Sequence, residues 1–279
     1  MTEKPLLPAG TTIGRTALRV GELESMLEFY RDVVGLAVQT RGDHRATLGV
    51  DDTPLLELYR DETARPRAHA QAGLFHNAFA LPSRAALGGA LERVRADWRL
   101  DGASDHFVSE ALYLTDPEDN GVELYVDKPK TVWPRRDDGT VEIGTVPLDL
   151  DTLLTQSDGS SEVPADTTVG HVHLEVTSLE AARAFYVDAL GVTVQTSVSS
   201  ALFLAAGDYH HHLGLNTWNG RTEPAGGRGL AWFEFVVPAG TLETVREHLA
   251  EADVSVTERG DGVELTDPDG TSVRIRTPS

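Results

Sequence analysis

Two histidines and a glutamate carry most of the chemical promise of this chain. His76 opens the run Phe75-His-Asn-Ala-Phe79, His171 opens Gly170-His-Val-His173, and Glu123 lies in Gly121-Val-Glu-Leu-Tyr125. Imidazole nitrogens with one carboxylate suit a divalent transition metal, and three protein donors on one side leave positions free for other ligands. That arrangement suits a ferrous ion that must take a substrate and dioxygen together. His173 falls on the same strand face as His171, because strand side chains alternate. Spacing alone does not make these residues converge, since 95 residues separate His76 from His171. His44, His69 and His248 stand alone and read as surface residues.

Composition narrows the chemistry. The chain has 279 residues, 40% hydrophobic and 24% charged, which fits a globular protein with a real core. Cysteine is absent, which excludes disulfides, thiolate metal sites and cysteine nucleophiles. Forty-four acidic residues against 24 basic ones give a formal net charge of −20, so nucleic acid is not an expected partner. Only Lys4, Lys128 and Lys130 are lysines. A large acid excess with little lysine is tolerable where salt screens self-repulsion, and it reads as salt adaptation. No apolar run reaches membrane-spanning length, and the first residues lack the pattern of a secretory signal. The expectation is a cytoplasmic, halophilic protein with no membrane association.

The elements that must position the three residues repeat. Gly14 to Tyr30 aligns without a gap on Gly170 to Tyr186, 156 residues later. Leu18/Leu174, Val20/Val176, Leu23/Leu179, Glu24/Glu180, Phe29/Phe185 and Tyr30/Tyr186 match, as do Asp32/Asp188 and Gly35/Gly191. Each half divides again into a strand, a helix and further strands. The expected helices are 22–33, 84–96, 178–190 and 240–252. Asp116-Pro117 and Asp267-Pro268-Asp269-Gly270 read as turns before last strands. Four βαβββ modules result. Residues 129–166 fit none: Thr155-Gln-Ser-Asp-Gly-Ser-Ser-Glu reads as a flexible linker, and Leu148–Leu154 as a short helix capped by an aspartate. Gly226-Gly-Arg-Gly229 precedes a strand, so it is a loop and not a phosphate cradle.

Four such modules, openings like His171-Val-His-Leu-Glu-Val, and closings like Leu114-Thr-Asp-Pro-Glu-Asp-Asn-Gly-Val-Glu123 resemble the vicinal oxygen chelate superfamily. That superfamily includes glyoxalase I, extradiol ring-cleaving dioxygenases and drug-sequestering proteins. The resemblance implies an α+β fold, with two tandem glyoxalase/dioxygenase-type domains of curved mixed sheets over 11–128 and 167–279 and a linker over 129–166. It places a first-strand ligand at His76 and His171, where modules one and four have Arg15 and Trp232. It places a last-strand ligand at Glu123, where module four has Arg274. Pairing of module two with three gives a His76, Glu123, His171 site. Pairing of one with four gives Arg15, Glu57, Trp232 and Arg274, a poor place for a divalent ion. If modules instead pair in sequence, the set becomes Glu57, His76 and Glu123, and His171 is left out.

Further residues follow from the same resemblance. His106-Phe-Val-Ser-Glu-Ala-Leu-Tyr113 looks like an extradiol segment with a His and a Tyr ahead of the Asp-Pro turn. Asp208-Tyr-His-His-His-Leu213 falls where those enzymes carry an active-site histidine, and the alignment favours His211, with His210 and His212 beside it. Bacterial catechol 2,3-dioxygenases with a Tyr-His-His-His sequence are similar. The implied activity is opening of a catechol-type aromatic with O2 on Fe(II), or Mn(II), with His211 as acid and base and His106 and Tyr113 as hydrogen-bond donors. Trp218 and Asn216 are expected to line the pocket. A glyoxalase-like isomerase would want a second carboxylate, and module three offers Gly214 at that place. A metal-free drug-binding protein would need no triad. Monomer and homo-oligomer are both compatible with the sequence.

Overall fold

The computed structural model describes residues 7–252 and 254–278. Module one is β1 (Thr12–Val20), α1 (Leu23–Glu28), β2 (Ala37–Arg41), β3 (Arg45–Val50) and β4 (Thr53–Arg60). Module two is β5 (Gly73–Leu81), α2 (Arg84–Asp97), β6 (Gly102–Asp105), β7 (Ser109–Thr115) and β8 (Gly121–Asp127). The connection carries β9 (Val146–Pro147) and α3 (Leu150–Leu154). Module three is β10 (Thr168–Glu175), α4 (Leu179–Arg183), β11 (Thr193–Val198), β12 (Ala201–Ala205) and β13 (Leu213–Asn216). Module four is β14 (Gly229–Val236), α5 (Leu242–Glu251), β15 (Thr257–Arg259), β16 (Gly262–Thr266) and β17 (Ser272–Arg276). All four βαβββ units are present, in an α+β arrangement of two open mixed sheets.

Pairing decides where the site can form. One sheet runs β15-β16-β17-β14-β1-β4-β3-β2, and the other runs β11-β12-β13-β10-β5-β8-β7-β6-β9. Module four thus pairs with module one, and module three with module two. In each module the first and last strands run parallel, while first strands meet antiparallel at the sheet centre. Both sheets therefore draw strands from both halves of the chain. Sequence-order pairing, which would have left His171 out, does not occur.

Local chemistry explains the helices and their ends. Ser83 and Ser178 accept the amides of Ala86 and Ala181 in the first turns of α2 and α4. Along α2, Leu87, Leu91 and Val94 recur at helical spacing and are buried in the common core. Gly88 lies against the connection: a Cβ there would sit 2.8 Å from Ser157 Cα, so Gly88→Ala would push the two apart. The first and third helices differ from the expected unbroken spans. Each widens into a π-helical segment, Phe29–Val34 and Ala184–Ala189, beginning at or beside its Phe-Tyr pair. Gly35 (φ 92°) and Gly191 (φ 70°) follow these segments in a left-handed conformation that favours glycine.

Two departures concern short polar segments. β6, Gly-Ala-Ser-Asp, has no apolar alternation to announce it, and it forms by pairing with β7. The connection is also more ordered than its composition implies. Asp149 caps α3 as expected, accepting from Thr152 N. The stretch read as a flexible linker is tethered: Asp158 N donates to Ala85 O at 3.2 Å, Val163 N to Gly35 O at 3.0 Å, and Arg93 Nη1 to Ser160 O at 2.7 Å. Small polar residues mark freedom only when their backbone groups lack such partners.

Candidate metal centre

The register of the second sheet assembles the triad. His171 on β10 lies opposite Ala78 on β5, and Ala78 lies beside Glu123 on β8. His76 is two residues from Ala78, hence on the same face. The small Ala78 side chain leaves the space above it to the three polar groups. His76 Nε2 is 2.9 Å and His171 Nε2 3.1 Å from Glu123 Oε2, and the two nitrogens are 3.2 Å apart. All three residues are buried, at 6%, 2% and 3% exposure for His76, His171 and Glu123. Neighbouring donors at about 2.1 Å from one octahedral ion would lie about 3 Å from each other, so these atoms fit a shared divalent cation. They are the potential metal-binding cluster among the described residues.

Electrostatics agree with that fit. Burial opposes the charge on Glu123, but His171 and His76 outweigh it and hold the carboxyl well below its usual range. Burial lowers the His171 ring, and lowers His173 and His211 further, so these imidazoles favour the neutral form a metal needs. Gly214 occupies in module three the register position that Glu123 holds in module two. A Cβ there would come within 2.7 Å of the His173 ring, so His173 fills the space a second carboxylate would need.

A cavity of ≈ 570 Å³ opens over the triad, and His106, Tyr113, His173, His211 and Trp218 also line it. Tyr113 stands beside Glu123 in the β7–β8 register. Its hydroxyl is 2.6 Å from His106 Nε2, while His106 Nδ1 lies 2.8 Å from Gly144 O. With Nδ1–H given to that carbonyl, Nε2 accepts and Tyr113 donates. Burial, then the charge of Glu123, raise the Tyr113 pKa, so the hydroxyl keeps its proton. The His211 ring packs against His171 at a tilt of 47°, with ring centroids 4.2 Å apart. The three adjacent histidines, 210–212, lie between β12 and β13.

Other expectations divide. Trp218 lines the cavity, but Asn216 does not; its Oδ1 accepts the backbone N–H of Trp218. His44 and His69 are exposed, and His248 is half-buried on α5. Phe75, Phe203 and the connection residues Ile143, Gly144 and Thr145 line the cavity without having been singled out. Phe75 adjoins His76, which was a usable signal; nothing in the polar connection announced the other three.

Among the described residues the first sheet holds no such cluster. Arg15 stands in the place of His76, Glu57 in that of Glu123, and Trp232 in that of His171. The Arg15 guanidinium bonds Glu57 at 2.8 Å and Glu234 at 2.9 Å, and Arg274 stacks on Trp232 at 3.8 Å. A side-chain cation occupies the region where the other sheet gathers its candidate metal donors.

Known proteins match this fold and order of residues. A curated catechol-2,3-dioxygenase of Bacillus subtilis (strain 168) is 37% identical over 268 residues, covering 92% of this chain and 94% of that protein. The solved structure of a putative dioxygenase from Bacillus subtilis subsp. subtilis str. 168 superposes with a TM-score of 0.64 at 13% identity, covering 95% of this chain and 84% of that one. Glyoxalase I from Zea mays superposes with a TM-score of 0.57 at 17% identity, covering 96% and 92%. At those identities the structural likeness speaks for the fold alone. Residues 12–124 and 168–275 each match the family model, and the chain belongs to the Glyoxalase/Bleomycin resistance protein/Dioxygenase superfamily.

Proposed function

We propose that the chain is an extradiol dioxygenase that opens a catechol-type aromatic ring with O2, using Fe(II) or Mn(II) held by His76, Glu123 and His171. The observation that carries this reading is the single carboxylate with two imidazoles, packed within 3.2 Å of each other beneath a cavity. Glu123 offsets part of the dication's charge, and the three donors leave the cavity side for small molecules. The catechol-2,3-dioxygenase relative supports the same class. When bound, the metal supplies Lewis acidity and electron exchange with dioxygen.

The chain's own groups do the rest. The walls formed by Phe75, Val108, Ile143, Phe203 and Trp218 hold a flat ring and exclude water. His211 receives a proton from one substrate hydroxyl at Nε2 and later returns it. Tyr113 turns its hydroxyl from His106 to the charge that develops on substrate oxygen. The overall change breaks one ring carbon–carbon bond and adds both oxygen atoms to the product, so no outside reductant is consumed. An isomerase reading is weaker, because Gly214 leaves the site without a second carboxylate.

Metal analysis of protein purified without air in high salt, followed by oxygen uptake with catechol, tests the proposal. One iron or manganese per chain and a yellow ring-opened product are expected. Stoichiometric metal without oxygen uptake, across a panel of substituted catechols, would turn the reading toward an isomerase. Failure to bind metal after reconstitution would leave a binding protein.

A further inference from the structure

His211 does not stand alone in the cavity wall. Its Nδ1 lies 2.7 Å from His210 Nδ1, and His210 Nε2 lies 2.8 Å from Asp127 Oδ1. Asp127 is the last residue of β8, the strand that carries Glu123. The other carboxylate oxygen, Oδ2, accepts from the Tyr209 hydroxyl at 2.9 Å, and Tyr125 and Tyr209 hydroxyls are 2.6 Å apart. Because Tyr209 gives its proton to Asp127, Tyr125 donates to Tyr209. His210 is fully buried between these groups and Trp133.

The chain of bonds permits one arrangement of protons when both rings are neutral. Ionised Asp127 has no hydrogen to give, so His210 Nε2 carries one and donates it. A neutral ring has one N–H, so His210 Nδ1 is a bare acceptor. His211 Nδ1 must then carry the hydrogen between the two rings. That leaves His211 Nε2 with its lone pair free, and Nε2 has no protein partner among the described residues. The unassisted preference of a histidine does not fix this; the hydrogen bond on the other nitrogen does.

We infer that Asp127 and His210 are positioning residues that fix the tautomer of His211, so that its Nε2 faces the substrate as a proton acceptor. The inference rests on the ring-opening function proposed above. It adds a reason for the adjacent histidines: His211 meets the substrate, and His210 orients it. His212 takes a different part, with Nδ1 accepting the backbone N–H of Ala206 at 3.2 Å.

Nitrogen-15 NMR of the metal-free protein tests the inference without any turnover. The signals of His211 are identified by their loss in His211→Gln. A protonated Nδ1 and a bare Nε2 are expected in the parent protein. In His210→Phe, which keeps a ring but cannot accept, the two nitrogens should shift toward a mixture dominated by protonated Nε2. In the metal-loaded enzyme the same variant should lower kcat by roughly 10²–10⁴-fold, with KM changed less than about threefold and metal content kept. A parent protein with Nε2 protonated would overturn the inference, as would an unchanged nitrogen pattern in His210→Phe. The parent measurement needs no variant to fold. If catechols prove not to be substrates, the tautomer result still decides the assignment, so the two failures are separable.

Discussion

Tyr30 Oη donates to Asp116 Oδ2 at 3.0 Å, from the helical segment of module one to the Asp-Pro turn of module two. Tyr186 and Asp267 repeat the bond at 2.8 Å between modules three and four. Each pair joins one sheet to the other, because the sheets combine modules one with four and two with three. Tyr30→Phe and Tyr186→Phe should each cost about 1–2 kcal/mol, and the double variant about the sum, since the sites are independent. Asp116→Ala should cost more, about 3 kcal/mol, because the backbone amides of Glu118 and Asn120 also lose their acceptor. Urea unfolding of the four variants measures this, and a cost-free Tyr30→Phe would show that the bond does not hold the sheets together.

The same carboxyls make stability depend on pH. Burial raises both Asp116 and Asp267 to about 6. An unfolded aspartate titrates near about 3.9, so the folded protein binds the extra proton between those values. The contribution of each is therefore present below about pH 4 and lost as pH rises to about 6. His171, His173, His211 and His212 act in the opposite sense, because burial lowers them and favours the neutral folded state. The test is consequently a difference. Asp116→Asn should be more damaging at pH 4 than at pH 7, by about 2–3 kcal/mol, in metal-free protein. A penalty independent of pH would count against a raised Asp116.

Much of this was legible in the chain because duplication and ligand chemistry constrain each other. Gly14–Tyr30 against Gly170–Tyr186 gave the modules, and the contrast of His76 and His171 with Arg15 and Trp232 pointed to the pairing of sheets. The π-helical segments were not legible, since one extra residue in a turn barely disturbs apolar periodicity. Nor were β6 and the tethered connection, whose order comes from partners distant in sequence. The bond between Asp127 and His210 escaped for the same reason: 83 residues separate the two, and only the folded chain brings them together.

Arg15 yields a prediction about stoichiometry. Its guanidinium bonds Glu57 and Glu234, both 1% exposed, where the other sheet gathers its candidate metal donors. The loaded protein should therefore hold one metal ion per chain, not two. Arg15→Leu should leave that number unchanged while costing about 3 kcal/mol, the lower end for a broken buried pair. Arg45 and Tyr59 still bond Glu57, and Arg276 still bonds Glu234, which limits the loss. Two ions per parent chain would contradict the assignment of this sheet.

Removing the metal should be felt in stability as well as activity. The triad sits on the two central strands of its sheet and their neighbour, so an ion there ties β5, β8 and β10 together. Saturating metal at a hundred times its dissociation constant adds about 2.7 kcal/mol, and a chelator removes it. Glu123→Ala and His171→Ala should abolish the chelator-sensitive part of the melting temperature. If either variant keeps it, the ion lies elsewhere.

The bond between Tyr113 and His106 couples their proposed roles, and the kinetics should show it. With its Nδ1–H on Gly144 O, His106 accepts from the Tyr113 hydroxyl at Nε2, and the proposed role of that bond is to orient the hydroxyl. Tyr113→Phe removes the hydroxyl proposed to turn from His106 to the developing charge and should lower kcat by roughly 10²–10³-fold, with KM nearly unchanged and metal content intact. His106→Ala should lower kcat less, because the hydroxyl is still there but no longer held. The double variant should be no worse than Tyr113→Phe alone, since His106 then has nothing left to orient. Burial and the charge of Glu123 keep the hydroxyl protonated, so the loss should not vary between pH 6 and 9. Additive losses would mean instead that His106 meets the substrate independently, and a loss carried by KM would make Tyr113 a wall of the cavity and not a donor.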